Sequence, residues 1–339
     1  MQAYQLQPGA SFQTLSRQDL HSRPLQPHEV RVRIGAAGLN FRDLMVADGS
    51  YPTGFSGPLV PLGDAAGTVI ETGASVQRFK AGDRVVNTYF PGWVDGHPTP
   101  ANTAGSYGVT LPGVLADEAV FDEQALAVTP SHLDDVEAAT IACAGITAWN
   151  ALFVEGGLQP GGAALMLGTG GVSIWALQLA RAAGARTFIT SSDDGKLARA
   201  RELGAHETIN YRTHPEWQQE VLARTHAEGV DVVVEVGGNG TLARSVAASR
   251  MGGRIALVGG VSGFSSELNL LSVIGGARRL AGIYVGSRRM FEDLLRFVSL
   301  HQLRPVVDRA FGFGDAAQAY ARIEGGGHFG KVVVDVTRR

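Results

Sequence analysis

Apolar and polar residues alternate with a period of two in the first third of the chain. Glu29–Asn40 (EVRVRIGAAGLN) begins with this spacing, which is that of a half-buried strand. Ala66–Gly73 (AGTVIETG) and Gly82–Tyr89 (GDRVVNTY) read as further short strands set off by glycine. To about residue 130 the pattern predicts an irregular antiparallel barrel or sandwich. It changes after Pro130. Ser131–Phe153 reads as a helix with Ser131 as N-cap, followed by a second helix. From Ala163 onward, near-continuous apolar runs alternate with amphipathic helices. AALML leads into a helix that would bury Ile174, Leu177 and Leu179. Then come the strand RTFITS, a helix over DDGKLARARELGA with acidic residues at its positive end, HETINY, a helix from about Pro215, VDVVVEVGG, a helix near TLARSVAASR, GRIALVGG and RLAGIYVG. Strands apolar on both faces and separated by helices predict a parallel sheet covered by helices. The tail (helix MFEDLLRFVSLHQL, strand GKVVVDV) returns to the early style. The expected division is therefore a first domain of residues 1–130 with 287–339, and an inserted α/β domain of residues 131–286.

A chain of 339 residues suits two domains, and 45% hydrophobic with 18% charged residues is a globular composition. The net charge of -3, with both signs dispersed, leaves no footprint for nucleic acid or an acidic membrane surface. The expected partner is a small-molecule substrate, with no nucleic acid and no membrane. Cys143 is the single cysteine, which excludes an intrachain disulfide and any multi-cysteine zinc knuckle. That economy of thiols, with no charged N-terminal segment running into an apolar one, leads us to expect a cytoplasmic protein. No stretch approaches about 18 uninterrupted apolar residues, so no membrane-spanning helix is expected.

The segment LMLGTGGVSIWALQLARAAGA (Leu165–Ala185) carries a glycine-rich turn between an apolar strand and a helix. In that context Gly168 permits a tight turn and Gly170 a close backbone approach to a pyrophosphate. The amides and dipole of the helix then favour the anion, and Thr169, Gly171 and Val172 complete the turn. A plain βα turn with no ligand is the alternative. Ser173 stands where the fingerprint has Gly or Ala. The second strand ends in Ser191 and Ser192, not in the carboxylate that binds the ribose hydroxyls of NAD. These hydroxyls, with Lys196 and the pair Tyr211–Arg212, form a surrounding that a 2′-phosphate tolerates and a carboxylate would repel. The charge pattern favours NADP(H). The alternative is that Asp193 folds back onto the ribose while Lys196 is a solvated helix residue.

At this point the chain resembles the medium-chain dehydrogenase/reductase superfamily, and most of all its zinc-free branch of quinone oxidoreductases and enoyl reductase modules. The residues that carry the resemblance are GLNFRDLMVADGSYP (Gly38–Pro52), VPLGDAAGTVIETG (Val60–Gly73), FKAGDRV (Phe79–Val85), AATIACAGITAWNAL (Ala138–Leu152), the GTGGVS turn, INYR and GHFGKVV (Gly327–Val333). The resemblance implies an α/β protein: a GroES-like β-rich catalytic domain with an inserted Rossmann domain, a doubly wound parallel sheet. It also implies a substrate site in the cleft between domains, and a homodimer joined through the edge strand RLAGIYVG, which would otherwise be an exposed apolar edge.

Zinc-dependent relatives place a cysteine where this chain has Asn40, and a His–Glu pair where it has Gly63 and Asp64; only Cys143 keeps a thiol. The resemblance therefore implies no metal. Without a Lewis acid, negative charge developing on the substrate must be met by hydrogen bonds or a proton. Activated acceptors such as quinones, α,β-unsaturated carbonyls and reactive aldehydes fit best. Asn40 and Tyr51 are the candidate catalytic donors, each with a plainer role as a turn residue. Asp64 is expected buried and paired with Arg42. By resemblance, Thr147 lies against the nicotinamide and Gly237 borders the adenosine. Val258, Gly259, Tyr284 and Val285 hold the carboxamide, and Lys331 approaches the phosphates. Tyr89, Phe90 and Trp93 would line the mouth of the site or pack its loop. The other readings are an alcohol dehydrogenase acting on ordinary alcohols without zinc, and an NADPH-binding sensor without turnover.

Overall fold

The computed structural model describes residues 1–265 and 267–339. The alternating segment forms the strand Glu29–Gly38, with Val30, Val32 and Ile34 buried. It is the hub of a 7-stranded sheet, pairing antiparallel with Asp64–Thr72, Glu118–Asp122 and the C-terminal strand Lys331–Asp335. Val307–Gly312 runs parallel to Lys331–Asp335 at one end of the sheet. The C-terminal strands thus complete the N-terminal sheet. Tight crossings explain two of the glycines. A Cβ on Gly38 would stand 2.1 Å from the Ala139 carbonyl oxygen, and one on Gly67 would stand 2.1 Å from that of Arg33.

The chain separates into two compact units, Met1–Ile146 with Gly286–Arg339, and Thr147–Val285. The boundary lies at Ile146/Thr147, beyond residue 131, because the helix Asp135–Ala138 and the turn Ile141–Gly145 pack on strands of the first unit. That helix is capped by Asp134 and not by Ser131. The Asp134 carboxylate accepts from the Glu137 amide at 2.8 Å and the Glu137 carboxylate accepts from the Asp134 amide at 3.1 Å, a reciprocal box that a serine further upstream cannot close. In place of a regular second α-helix, wide π turns at Ile141–Gly145 and Asn150–Val154 flank Ile146–Trp149. By length and composition alone Asp135–Val154 could cross a membrane, but 72% of its most apolar window is buried, so the protein itself covers that surface.

In the second unit the near-continuous apolar runs form a 6-stranded, all-parallel sheet. Its order is Glu207–Asn210, Arg186–Ser191, Ala163–Met166, Val230–Glu235, Ser249–Leu257, Arg279–Gly282. The order reverses beside the first strand, as in doubly wound sheets. Gly171–Ala182 buries Ile174, Leu177 and Leu179 as expected, together with Trp175. Arg279–Gly282 is an edge strand.

Candidate active site

The carboxyl ends of these six parallel strands gather most of the expected cofactor residues. Gly168–Val172 follow Ala163–Met166, Ser191 and Ser192 end Arg186–Ser191, and Tyr211 follows Glu207–Asn210. Gly237 follows Val230–Glu235, Val258 and Gly259 follow Ser249–Leu257, and Tyr284 and Val285 follow Arg279–Gly282. In open α/β sheets this is the edge where ligands bind. Thr147, the first residue of the unit, is buried on the helical run that precedes the sheet.

The turn itself fits a dinucleotide. Gly168 has φ +71°, a left-handed conformation that side chains rarely adopt, and Gly170 caps the helix in extended conformation. Ser173 answers its own anomaly: its hydroxyl donates to the Leu167 carbonyl at 2.6 Å, so a polar side chain fits the close helix–strand contact by tying the two together. At the second strand both acidic residues are engaged elsewhere. Asp193 caps its helix by accepting from the Lys196 amide at 2.8 Å, and Asp194 accepts from Asn210 Nδ2 at 2.8 Å. Ser191 is buried, its carbonyl accepting from the Tyr211 amide, so the serine tip and Tyr211 are neighbours.

Two features of this edge escaped the sequence reading. Glu235 is 0% exposed at the end of an apolar strand. Its carboxylate accepts from the Gly237 and Gly238 amides at 2.7 and 3.0 Å and from the Thr241 hydroxyl at 2.6 Å, and Ser245 donates to its other oxygen. It holds the loop that carries Gly237. A carboxylate interrupting VDVVVEVGG was the available signal. Val285 has φ +55°, a strained conformation for a β-branched residue, and Asn150 Nδ2 donates to its carbonyl at 2.9 Å. No local pattern links residues so far apart in sequence.

The first unit gathers Asn40, Arg42, Asp43, Asp64, Tyr89, Cys143 and Lys331, with Tyr51 close enough to act electrostatically on Tyr89. Asn40 ends the turn after Glu29–Gly38, and its backbone N–H donates to the Asp43 carboxylate at 2.7 Å. Lys331 corrects its expected role. It is 3% exposed, and its ammonium donates to the Leu39 carbonyl and to Asn40 Oδ1, both at 2.6 Å, and to Asp64 Oδ2 at 3.4 Å. An ammonium has three donors, so none is left for a phosphate. Asp64 is accordingly paired with Lys331, not with Arg42. Arg42 bonds the Tyr89 hydroxyl and lies 3.7 Å from Asp43. Tyr89, Phe90 and Trp93 are buried packing residues rather than an exposed rim, with Phe90 placed between the other two rings.

Burial sets the electrostatics. It pushes the Asp43 carboxyl up to about 6 against the pull of Arg42, and the Cys143 thiol up to about 11 with the help of Asp64. Burial opposes the charge on Arg42, but Tyr89, Cys143, Asp43 and Asp64 together outweigh it, and its guanidinium stays charged. Asn40 Nδ2, Arg42 Nε and Nη2 and Asp64 Oδ1 are buried without a hydrogen-bond partner among the described residues. Unsatisfied groups of this kind cost about 1–3 kcal/mol each unless water or a ligand meets them.

These residues do not fit a catalytic zinc. The one oxygen Asn40 could offer a cation is taken by the Lys331 ammonium. Gly63 has no side chain, and a Cβ there would stand 2.7 Å from the Tyr107 carbonyl oxygen. Cys143 is the single cysteine of the chain, and a catalytic zinc needs three protein ligands. No group of three or more His, Cys, Asp or Glu suited to a metal occurs among the described residues.

Comparison with known proteins matches residues 26–131 to the alcohol dehydrogenase GroES-like domain and residues 171–299 to the zinc-binding dehydrogenase family. A zinc-type alcohol dehydrogenase-like protein of Schizosaccharomyces pombe is 41% identical over 92% of both chains. A solved structure described as an NAD-dependent alcohol dehydrogenase superposes with TM-score 0.91 at 34% identity, covering 99% of this chain and 100% of that one. A quinone oxidoreductase of Pseudomonas syringae superposes with TM-score 0.84 at 26% identity, covering 99% of each. With two family domains in this order, a sheet of this topology and relatives matched along nearly their whole length, the chain belongs to the medium-chain dehydrogenase/reductase superfamily of NAD(P)-dependent oxidoreductases.

Proposed function

We propose that this chain is an NADPH-dependent reductase that transfers hydride to an activated carbonyl or alkene without a metal. The observation that carries the reading is the donor set of the first unit. The positions that hold zinc in relatives present a neutral amide, a bare glycine and a single thiol, beside unspent N–H groups. When bound, the nicotinamide supplies the hydride. As hydride reaches the carbon of a quinone or enone, negative charge collects on the conjugated oxygen. Asn40 Nδ2 is the neutral donor suited to that oxygen, and the Tyr51 phenol supplies a hydrogen bond or the proton. The anion of an activated substrate is delocalised and needs less stabilisation than a simple alkoxide. The likeness to a quinone oxidoreductase supports the same direction.

Preference for NADPH is supported by Ser191, Ser192 and Tyr211 at the strand tips, by Lys196 in the first turn of the helix Asp194–Glu202, and by the engagement of Asp193 and Asp194 elsewhere. Ser191→Asp should raise the Kd for NADPH roughly tenfold or more while sparing NADH, because a carboxylate repels the 2′-phosphate dianion. Equal loss for both cofactors in a fluorescence titration would place the phosphate elsewhere. The decisive experiment for the reaction is NADPH oxidation by chelator-treated protein against quinones, enones, aldehydes and simple alcohols with NADP. Turnover of a quinone or enone without added metal is expected. Faster turnover of primary alcohols would favour the second reading, an ordinary alcohol dehydrogenase, which the similarity to the Schizosaccharomyces pombe protein supports.

The same proposal includes a homodimer. The edge strand Arg279–Gly282 offers its unpaired side to a second copy, and Leu270, Leu271 and Ile274 just before it are 69–72% exposed.

A further inference from the structure

The geometry points to Lys331 as the positioning residue that aims Asn40 at the substrate oxygen; this rests on the reading of Asn40 as the hydrogen-bond donor. An amide can sit in either of two orientations, and the neighbour decides which. The Lys331 ammonium has donors only, so at 2.6 Å it must face the amide oxygen of Asn40. That turns Nδ2 away from Lys331, and Nδ2 is the end that is buried with no partner. Two N–H donors are thereby held ready for an acceptor.

The rest of the arrangement keeps this state in place. The backbone of Asn40 is tied to the Asp43 carboxylate at 2.7 Å, so both ends of the residue are held. The ammonium is fixed by the Leu39 carbonyl at 2.6 Å, and its charge is balanced by Asp64 at 3.4 Å. Lys331, Leu39 and Asp64 are buried and Asn40 is half-buried, a setting in which a charge-assisted bond is short and strong and polarises the group that accepts it. A cation on the amide oxygen withdraws electron density through the planar amide and strengthens Nδ2–H as a donor. The ligand class this suits is an oxygen that gains negative charge during reaction: the carbonyl oxygen of a quinone, enone or aldehyde on its way to an enolate or alkoxide. Lys331 itself does not touch that oxygen.

The test is a double-mutant cycle on the full-length protein, with NADPH and 1,4-naphthoquinone, using Lys331→Met, Asn40→Ala and both together. Lys331→Met is expected to lower kcat by roughly 10- to 100-fold while the Kd for NADPH changes less than about twofold. In the Asn40→Ala background it should do nothing further, because there is no amide left to aim. Since Lys331→Met leaves Asp64 buried without its partner, Lys331→Met/Asp64→Asn is measured alongside as the variant with no orphaned charge. Independent of turnover, selective ¹⁵N-asparagine labelling reports the Asn40 side-chain amide, assigned by its loss in Asn40→Ala. Its pair of signals should lie apart from those of exposed asparagines, and should move toward them in Lys331→Met. Full kcat in Lys331→Met, additive losses in the double variant, an unmoved Asn40 amide or a weakened NADPH affinity as the main effect would each overturn the proposal. If Asn40→Ala keeps full kcat, the donor reading of Asn40 fails, while the labelling still decides whether Lys331 orients it.

Discussion

At the scale of single residues, the chemistry of the first unit comes from side chains that burial forces into partnership. Asn40 and Tyr51 were readable as candidates because they stand at recognisable places in GLNFRD and GSYP. Lys331 was expected at the phosphates, whereas its ammonium bonds Leu39, Asn40 and Asp64. Nothing in GHFGKVV tells which way the ammonium turns; the pairing of Lys331–Asp335 beside Glu29–Gly38 turns it to Asn40 and Asp64. Asp43 gives a sharp test of this buried setting. Its carboxyl is raised from 3.8 to about 6, chiefly by burial, with Arg42 and Lys331 pulling it down and Asp64 pushing it up. Between those values the folded protein holds a proton that the unfolded chain has lost, so stability falls as pH rises through this window. Stability of the wild type measured against Asp43→Asn by urea denaturation should therefore favour the variant increasingly from pH 4 to pH 7, by a change of about 2 kcal/mol. A constant difference would mean that Asp43 titrates normally.

At the scale of elements, alternation and apolar runs were enough to locate most strands and helices, since the period of burial is a local property. Cap choice was not, because Asp134 wins over Ser131 only through its reciprocal bonds with Glu137. The loop after Val230–Glu235 is shaped in the same way, by one buried carboxylate that collects its amides and hydroxyls. Glu235→Ala should cost at least about 1.5–3 kcal/mol, and lower Tm by roughly 5 °C, because these donors lose their acceptor together. Glu235→Gln keeps a carbonyl oxygen for the two glycine amides and should cost less. The alanine variant should also bind NADPH more weakly; thermal melts and a fluorescence titration on both variants separate the two effects. Equal stability of all forms would remove Glu235 as the organiser of the loop.

At the scale of the whole molecule, the division into two units follows from composition as much as from topology. Alternating strands need one covered face, whereas runs apolar on both faces need helices on either side. Exposed Leu270, Leu271 and Ile274 belong to neither core. Leu271→Glu with Ile274→Glu should shift the proposed dimer to monomer in light-scattering chromatography with Tm little changed, since side chains of about 70% exposure contribute little to the fold of one copy. A dimer that persists through both charges would move the contact away from this helix.

By itself the sequence determined the two kinds of sheet and the glycine turn at Gly168, because each is written in residue type and local spacing; that residues 40 and 63 lack the zinc ligands of relatives came from the resemblance. Only the tertiary structure decided which of Asp64, Arg42 and Lys331 pair, which end of the Asn40 amide is free, and that Glu235 and Asn150 hold the loops at the sheet edge. Those outcomes depend on distances between residues far apart in the chain, and on burial that makes an unpaired charge too costly to leave alone.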